Sequence, residues 1–226
     1  MAKKLSFPRV VAQLEKFYGK PSPPPVTDPF EQVLWEIVAY LADDEKRKRV
    51  FAELKKTVGT KPSDILKATP ESLFAVTRMG GMVPQERADR LRRAAEIVQV
   101  LLKGKLKENL QQSPAQAKKT LKRFPQIGEP GAEKILMFAG IYPMFGLESN
   151  GLRVLQRLGF APELKGYSAS YRAMQEAIAE QLPQGCTSLT VAHQLLRQHG
   201  QELCKRSRPL CEQCPLREGC AFAGTA

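Results

Sequence analysis

The chain has 226 residues, and its hydrophobic fraction of 42% provides enough apolar material for one large domain or two small ones. Lysine and arginine number 35 against 23 acidic residues, and the net charge of +12 favours a polyanionic partner, with a generic basic protein as the alternative. No stretch approaches the roughly 18 apolar residues of a membrane span, and no signal core precedes Pro8, so we expect a cytoplasmic protein, nucleoid-associated if bacterial, without a membrane partner.

The first predicted element is a short helix over about Ser6–Tyr18, which a proline-rich stretch separates from the main body. That stretch, Lys20–Pro29, has five prolines in ten residues and must be extended, because proline lacks a backbone donor and restricts the residue before it. Asp28 then provides a helix N-cap, with Pro29 at the first helical position. The apolar face of this second helix has helical spacing: Phe30, Val33, Leu34, Ile37, Val38 and Leu41.

Helical periodicity continues along almost all of the remaining chain. The apolar pattern predicts helices over these further segments: Val50–Val58, from Thr69, Ala88–Leu102, Ser113–Arg123, Pro130–Ala139, Leu152–Leu158, Tyr171–Leu182 and Leu189–His199. Gly200 is expected to end the last of these helices. The sequence contains no alternating strand pattern of useful length and no internal repeat, so it predicts an all-α fold of about ten helices.

Four of the five cysteines fall in the last 23 residues: Cys204, Cys211, Cys214 and Cys220. Cytosolic cysteines rarely form disulfides, so this group of thiols indicates a metal centre. The intervals of six, two and five residues contain one short pair, whereas zinc sites usually have two, and a 4Fe–4S cluster accepts wider, uneven arms. The spacing leaves three possibilities open: a cluster, a zinc ion, or reduced cysteines without metal. Cys186 stands apart and is expected to be a small core residue or an incidental thiol.

Residues 121–136, with the sequence LKRFPQIGEPGAEKIL, predict two helices joined by a tight loop. Gly128 is expected to take the positive φ that such a turn needs. The loop amides and the N-terminus of a helix starting at Pro130 would then form an anion site suited to a phosphate. Basic side chains surround this site: Lys118, Lys119, Lys122 and Arg123. The alternative is an ordinary helical corner with a solvated basic face.

Three features in this order resemble the endonuclease III branch of helix-hairpin-helix DNA glycosylases. They are the Pro-x-Ile-Gly hairpin, the segment Leu147–Val154 (LESNGLRV), and the cysteine loop preceded by His199-Gly200. The resemblance implies two helical domains that flank a DNA-binding groove. One is a six-helix barrel over residues 26–135 that ends in the hairpin, and the other comprises residues 1–25 and 136–226.

The resemblance also implies a cofactor, a partner and a set of contacts. Cys204, Cys211, Cys214 and Cys220 would hold a 4Fe–4S cluster in the loop 204–220. The partner would be double-stranded DNA with a damaged or mismatched base, bound by a monomer that flips the nucleotide out of the stack. The implied DNA-binding residues belong to the hairpin: Lys122, Arg123, Gln126, Ile127, Gly128 and Gly131.

The hairpin departs from the family pattern at two positions. Gln126 replaces the first glycine of the family hairpin, and Pro130 replaces the lysine whose amine attacks the sugar in bifunctional members. Lys134 lies one helical turn further along and is expected to be a solvated surface residue. We therefore predict no lysine-dependent lyase activity.

Glu148 falls at the position of the family's catalytic aspartate. Its carboxylate could stabilise an oxocarbenium-like sugar or orient a water molecule. The alternative is a helix-start carboxylate, with Ser149 or Asn150 as the cap. Elsewhere, the acidic segment Tyr40–Asp44 replaces a glutamine-containing loop, and Met82 in the Met79–Met82 segment is either an apolar wedge between bases or a packing residue.

Two functions therefore remain open. The chain could be a monofunctional DNA N-glycosylase that uses Glu148 and water, or a catalytically inactive homologue that keeps the DNA-binding scaffold. A third, weaker hypothesis keeps the basic scaffold but makes the metal a structural zinc.

Overall fold

The computed structural model describes residues 5–39 and 42–224. Within them the chain forms twelve α-helices and no β-strand, which confirms the predicted all-α class. The helices are α1 Phe7–Tyr18, α2 Pro29–Val38, α3 Asp44–Thr57, α4 Pro62–Lys67, α5 Pro70–Thr77, α6 Pro84–Glu96, α7 Leu106–Gln111, α8 Pro114–Leu121, α9 Glu129–Phe138, α10 Ser149–Arg157, α11 Tyr167–Ile178 and α12 Cys186–Glu202. None of the helices in the described ranges has both the length and the apolar character to cross a membrane.

The helices group into two compact units. One unit, Pro24–Ile141, contains α2 to α9, of which six have eight or more residues and two, α4 and α7, have six each. The other unit combines the chain up to Pro23 with the chain from Tyr142 onward, and it contains α1 and α10 to α12. In this second unit the rings of Phe7 and Phe145 pack edge to face, with centroids 5.5 Å apart, which attaches α1 to the segment before α10.

A polar cap followed by proline begins several helices. The Asp28 carboxylate accepts the N–H groups of Phe30 and Glu31 at 3.0 and 3.1 Å, ahead of Pro29, as the sequence predicts. Thr69 and Ser113 cap α5 and α8 in the same way, each before a proline. These side chains satisfy donors that a helix leaves unpaired, so the starts of these helices are encoded locally.

Two parts of the predicted pattern need correction in the first unit. The sequence reading missed α4 and α7, because six residues are too few to show helical periodicity. The helix predicted to continue to Leu102 ends at Glu96 and is followed by a π turn, in which the Leu102 N–H donates to the Ile97 carbonyl at 3.0 Å. The wider turn rotates the chain, and Leu101, assigned to the apolar face, is 54% exposed.

Gly200 does not end the last helix, since α12 continues to Glu202. A Cβ atom at this position would lie 2.7 Å from Cβ and 2.8 Å from the carbonyl oxygen of Asn150. The glycine is therefore needed for the close approach of α10 and α12 rather than for a helix stop.

A buried arginine organises the loop between α5 and α6. The Arg87 side chain on α6 is 0% exposed and donates to four carbonyl oxygens. The distances are 2.6 Å to Val38 and to Thr77, and 2.8 Å to Gly81 and to Met82. Val38 and Thr77 are the last residues of α2 and α5, whose final carbonyls lack partners within the helix. Burial lowers the pKa of Arg87, with a smaller contribution from Arg90.

We expect Arg87→Met to lower the free energy of unfolding by about 3 kcal/mol or more, because each buried carbonyl left without a donor costs about 1–3 kcal/mol. Urea denaturation followed by circular dichroism measures this change. Arg90→Met on the same helix removes only a half-exposed ion pair with Glu86 and should cost less than about 1 kcal/mol. Equal losses in the two variants would contradict the role given to Arg87.

Candidate functional site

The hairpin joins α8 to α9 through a turn whose left-handed residue is Gln126, with φ of +65°. The expectation of a positive φ at Gly128 is wrong, since Gly128 is extended, with φ of −92° and ψ of −169°. Gln126 occupies the position where the resembled family has its first glycine. A side chain at positive φ costs about 1–2 kcal/mol, so the turn keeps its shape under strain.

The backbone at the start of α9 is open to a ligand. The helix begins at Glu129, one residue before the expected Pro130, and its N-cap Gly128 is exposed and provides no side-chain cap. The first N–H groups of a helix have no partner within it, so these amides can bind an anion. Ile127 is only 6% exposed, its N–H donates to the Phe124 carbonyl at 3.2 Å, and Gly131 packs against its side chain.

Two of the four predicted hairpin cations are paired with carboxylates of α9. Lys118 lies 2.5 Å from Glu129 and 3.1 Å from Glu133, and Lys122 lies 2.7 Å from Glu129. Hydrogen bonds from Lys118 and then Lys122 lower the pKa of Glu129. The sequence reading overlooked Glu129, which places a negative charge in the first turn of the helix that was expected to bind phosphate. Lys122 and Arg123 remain exposed.

Lys134 is not the solvated surface residue that we expected. Its ammonium group lies 2.7 Å from the carboxylate of Glu36 on α2, and its side chain is only 18% exposed. Arg47 approaches the same carboxylate at 3.7 Å. The partner is 98 residues away in the sequence, so no local pattern indicates this ion pair.

Glu148 lies at the start of α10, as the alternative reading has it, but the N-cap is Glu148 itself and neither Ser149 nor Asn150. One carboxylate oxygen accepts the Gly151 N–H at 2.8 Å, and the other accepts the Asn150 side-chain amide at 2.9 Å. The residue is half-buried, so water can reach it. The two donors hold the carboxylate in one orientation at a helix N-terminus.

A hydrogen-bonded chain leads from this carboxylate to the cysteine loop. The Asn150 side-chain oxygen accepts a hydrogen bond from Arg153 at 2.9 Å. Arg153 also donates to the carbonyls of Gly200 and Cys204, at 2.7 and 3.0 Å. Glu148 and the first cysteine of the loop are therefore connected through two side chains of α10.

Tyr167 lies near Glu148 in the same unit and was not identified from the sequence. Burial raises the pKa of its phenol to about 12, and the charge of Glu148 contributes in the same direction. Its ring stacks on Tyr171 with centroids 6.1 Å apart, yet the residue is 46% exposed. A lone tyrosine at a helix start carries no sequence signal for such a position.

Three of the C-terminal cysteines lie within electrostatic reach of the fourth, Cys214. Burial raises the pKa of Cys214 to about 11, and the charges of Cys204, Cys220 and Cys211 contribute in that order. Arg157 contacts the Cys204 sulfur at 3.4 Å, and the carbonyl of Arg157 lies 3.4 Å from the Cys220 sulfur.

The donor set fits a metal centre. A metal centre deprotonates its coordinating thiols outright, and its positive charge offsets the mutual repulsion of four neighbouring thiolates. In the described part of the chain, no three His, Cys, Asp or Glu side chains converge tightly enough to hold one metal ion. A four-iron cluster binds each thiolate through a different iron and is compatible with wider spacing.

The remaining candidate segments are only partly described. Tyr40 and Leu41 of the acidic segment lie outside the described residues, while the Asp43 carboxylate caps α3 by accepting the Lys46 N–H at 2.7 Å. In the loop that Arg87 organises, Met79 and Met82 are 44% and 60% exposed, so they are not core residues. Cys186 is the half-buried first residue of α12, away from the cysteine loop in sequence.

No protein-family model matches the chain. Curated endonuclease III of Thermotoga maritima is 24% identical over 196 residues, which span 87% of this chain and 84% of that protein. Endonuclease III of Rickettsia prowazekii is 24% identical over 221 residues, which span 95% of each chain. A solved structure described as a non-covalent endonuclease III–DNA complex superposes with a TM-score of 0.78 over 98% of both chains, at 18% identity.

The chain is endonuclease III-like. This confirms the resemblance drawn from the hairpin, the segment around Glu148 and the cysteine loop. A structure described as a thermostable thymine-DNA glycosylase has the same fold as this endonuclease III-like chain, with a TM-score of 0.76 over 97% of both chains at 18% identity.

We expect Gln126→Gly to raise the free energy of unfolding by about 1 kcal/mol, because glycine relieves the strain of the positive φ. The matched control is Gln112→Gly, at an exposed position with φ of −64°. There the same substitution only adds chain flexibility and should destabilise the protein by about 0.5–1 kcal/mol. Urea denaturation measures both variants, and changes of the same sign would contradict the strain assigned to Gln126.

Proposed function

We propose that this endonuclease III-like chain is a DNA N-glycosylase of base excision repair that acts on double-stranded DNA. The observation that carries the proposal is the Glu148 carboxylate, held at the start of α10 by the Gly151 amide and the Asn150 side chain. The two curated relatives described above are both named endonuclease III, and they provide the class of activity. The target nucleotide would be flipped out of the stack, because its glycosidic bond is unreachable inside the duplex.

Glu148 can support base removal in two ways. Its negative charge can stabilise the positive charge that develops on the sugar as the base departs, or it can orient a water molecule for attack on that sugar. Both roles require a carboxylate that keeps its position, and a displacement of about 1 Å can cost on the order of a hundredfold in rate. The Asn150–Arg153 connection supplies this support.

The proposed reaction ends with base removal, without strand cleavage through a Schiff base. Pro130 has no side-chain amine, and the ammonium group of Lys134 donates a hydrogen bond to the Glu36 carboxylate in a partly buried ion pair. This ion pair occupies the nitrogen of Lys134, so Lys134 is not a candidate nucleophile. A monofunctional enzyme is therefore the form of the activity that these residues support.

The hairpin is proposed to bind the DNA backbone. The open amides at Gly128 and Gly131 would donate hydrogen bonds to a phosphate oxygen, and the exposed side chains of Lys122 and Arg123 would add charge. Gln126 would lie in the turn that faces the DNA backbone, while the buried side chain of Ile127 anchors the turn to the core. Such contacts position the protein without reading sequence, and binding should weaken steeply with salt.

The proposed cofactor is a 4Fe–4S cluster held by Cys204, Cys211, Cys214 and Cys220. The uneven spacing of the cysteines and the family resemblance support it over zinc. When bound, the cluster would supply a rigid centre that gathers the loop from Cys204 to Cys220. Arg153 and Arg157 hold that loop against α10 through its carbonyls.

A catalytically inactive DNA-binding homologue is the second candidate. It is favoured by the fact that both oxygens of Glu148 already accept hydrogen bonds in a structural cap. The absence of an amine at Pro130 points the same way. Under this hypothesis the scaffold recognises damaged DNA without cutting any bond.

Single-turnover assays separate the two candidates, with base excision measured on duplexes that carry an oxidised, alkylated or deaminated base and strand cleavage measured on duplexes that carry an abasic site. We expect base excision by the wild-type protein and a loss of about a hundredfold or more in Glu148→Gln, which keeps the side-chain length but removes the charge. Alkali converts base loss into strand breaks, and borohydride should trap no covalent adduct.

Glu163→Gln is the matched control for this experiment, because it makes the same change at an exposed position of the same unit. Its rate should equal that of the wild type. Excision of no lesion by wild-type protein would favour the inactive homologue, and a borohydride-trapped adduct would contradict the monofunctional assignment.

We expect Lys122→Glu/Arg123→Glu to weaken binding to undamaged duplex DNA by at least about tenfold. The slope of the logarithm of affinity against the logarithm of salt concentration should also fall by the contribution of about two phosphate contacts. Lys103→Glu/Lys105→Glu is the control, since it changes the net charge equally at exposed positions of the same unit. Fluorescence anisotropy across a salt series measures both. Equal losses would show that total charge, rather than the hairpin, governs binding.

A further inference from the structure

A tyrosine–histidine pair contacts one of the four cysteines of the proposed cluster. His199, near the end of α12, is 1% exposed. Its Nδ1 lies 3.0 Å from the hydroxyl oxygen of Tyr18, and its Nε2 lies 3.4 Å from the sulfur of Cys214. The backbone carbonyl of His199 also accepts the N–H of Cys204 at 2.8 Å. One buried residue thus contacts two of the four thiol-bearing residues.

The partners of the imidazole determine where its proton lies. A neutral imidazole has one N–H donor and one acceptor nitrogen. A thiolate bound to iron has no proton, so the sulfur of Cys214 can only accept, and Nε2 must carry the hydrogen. Nδ1 is then an acceptor, and the Tyr18 hydroxyl is the group placed to donate to it. The opposite tautomer would turn a lone pair toward the thiolate.

Burial favours this arrangement at both residues. The imidazole of His199 lies in the interior of its unit, and burial disfavours a charged ring, so a neutral ring with one donor and one acceptor nitrogen fits the site. Burial, with Glu202 and Cys214 as further causes, raises the pKa of Tyr18, so the phenol keeps the proton that it donates. The two rings also meet edge to face, with centroids 6.0 Å apart.

We propose that Tyr18 and His199 are positioning residues for the iron–sulfur cluster. Tyr18 selects the imidazole tautomer, and His199 donates an N–H···S hydrogen bond to the Cys214 thiolate. Such hydrogen bonds stabilise the more negative, reduced cluster and therefore raise its reduction potential, and partners of the ligands slow metal loss. The inference rests on the proposed cofactor. Under this proposal α1 also supports the cluster through Tyr18, which lies 181 residues before His199 in the sequence.

Iron and inorganic sulfide in the purified wild-type protein are measured first, together with visible absorption. Protein without iron would end the cofactor proposal and this inference with it. The pair is then tested in iron-loaded protein, so that the two failures are distinguishable.

Tyr18→Phe removes one hydroxyl and keeps the ring contact. We expect a lower reduction potential by voltammetry, weaker sensitivity of the Fe–S stretching bands to D₂O in resonance Raman spectra, and about tenfold faster bleaching in a chelator. Tyr171→Phe is the control, because it removes a tyrosine hydroxyl of the same unit that instead faces the Phe145 carbonyl and Gln175.

Two substitutions of His199 separate hydrogen bonding from packing. His199→Gln keeps an N–H donor and should retain a potential closer to that of the wild type, whereas His199→Leu should lose the D₂O-sensitive bands. If the leucine variant fails to load iron, Tyr18→Phe still decides the question. Iron-loaded Tyr18→Phe that matches Tyr171→Phe in all three measurements would overturn the inference and leave the cofactor proposal standing.

Discussion

The close approach of α10 and α12 at Gly200 is the constraint on which the candidate site depends. Any side chain there would collide with the backbone of Asn150, whose carbonyl oxygen would lie 2.8 Å from the added Cβ. Because the helices are this close, Arg153 reaches the carbonyls of Gly200 and Cys204 while it holds Asn150. Asn150 then orients Glu148. A loosened cysteine loop would therefore change the orientation of the Glu148 carboxylate through Arg153 and Asn150, without direct contact between the loop and the carboxylate.

The number of basic residues in the hairpin overstates the positive charge that a phosphate meets there, because two of the lysines are paired with carboxylates. Glu129 makes one short contact with Lys118 and one with Lys122, and it lies in the first turn of α9. A phosphate that approaches the open amides must compete with this carboxylate for Lys122. The internal partner holds the lysines in place before binding, and it also reduces the net gain when they turn to DNA.

Local features of the fold could be predicted from the sequence, and long-range ones could not. The Asp28 cap followed by proline, the helical periodicity and the cysteine spacing are encoded within a few residues, so the all-α class and the candidate ligands followed directly. The left-handed Gln126 went unnoticed because a nearby glycine seemed the better candidate for a positive φ. The pairing of Lys134 with Glu36 depends on packing across 98 residues, which periodicity does not encode.

The four acceptors that the structure gives to Arg87 are all main-chain oxygens: those of Val38, Thr77, Gly81 and Met82. Every residue type has such an oxygen, so this anchoring does not depend on the side chains at positions 79 and 82, although Gly80 must stay small because a Cβ there would collide with the Arg87 guanidinium. Met79 and Met82, exposed on that loop, can therefore be exchanged during evolution without loss of the loop's shape. A single guanidinium thus holds the path of the loop backbone, while the two exposed methionine side chains on the loop are free to change.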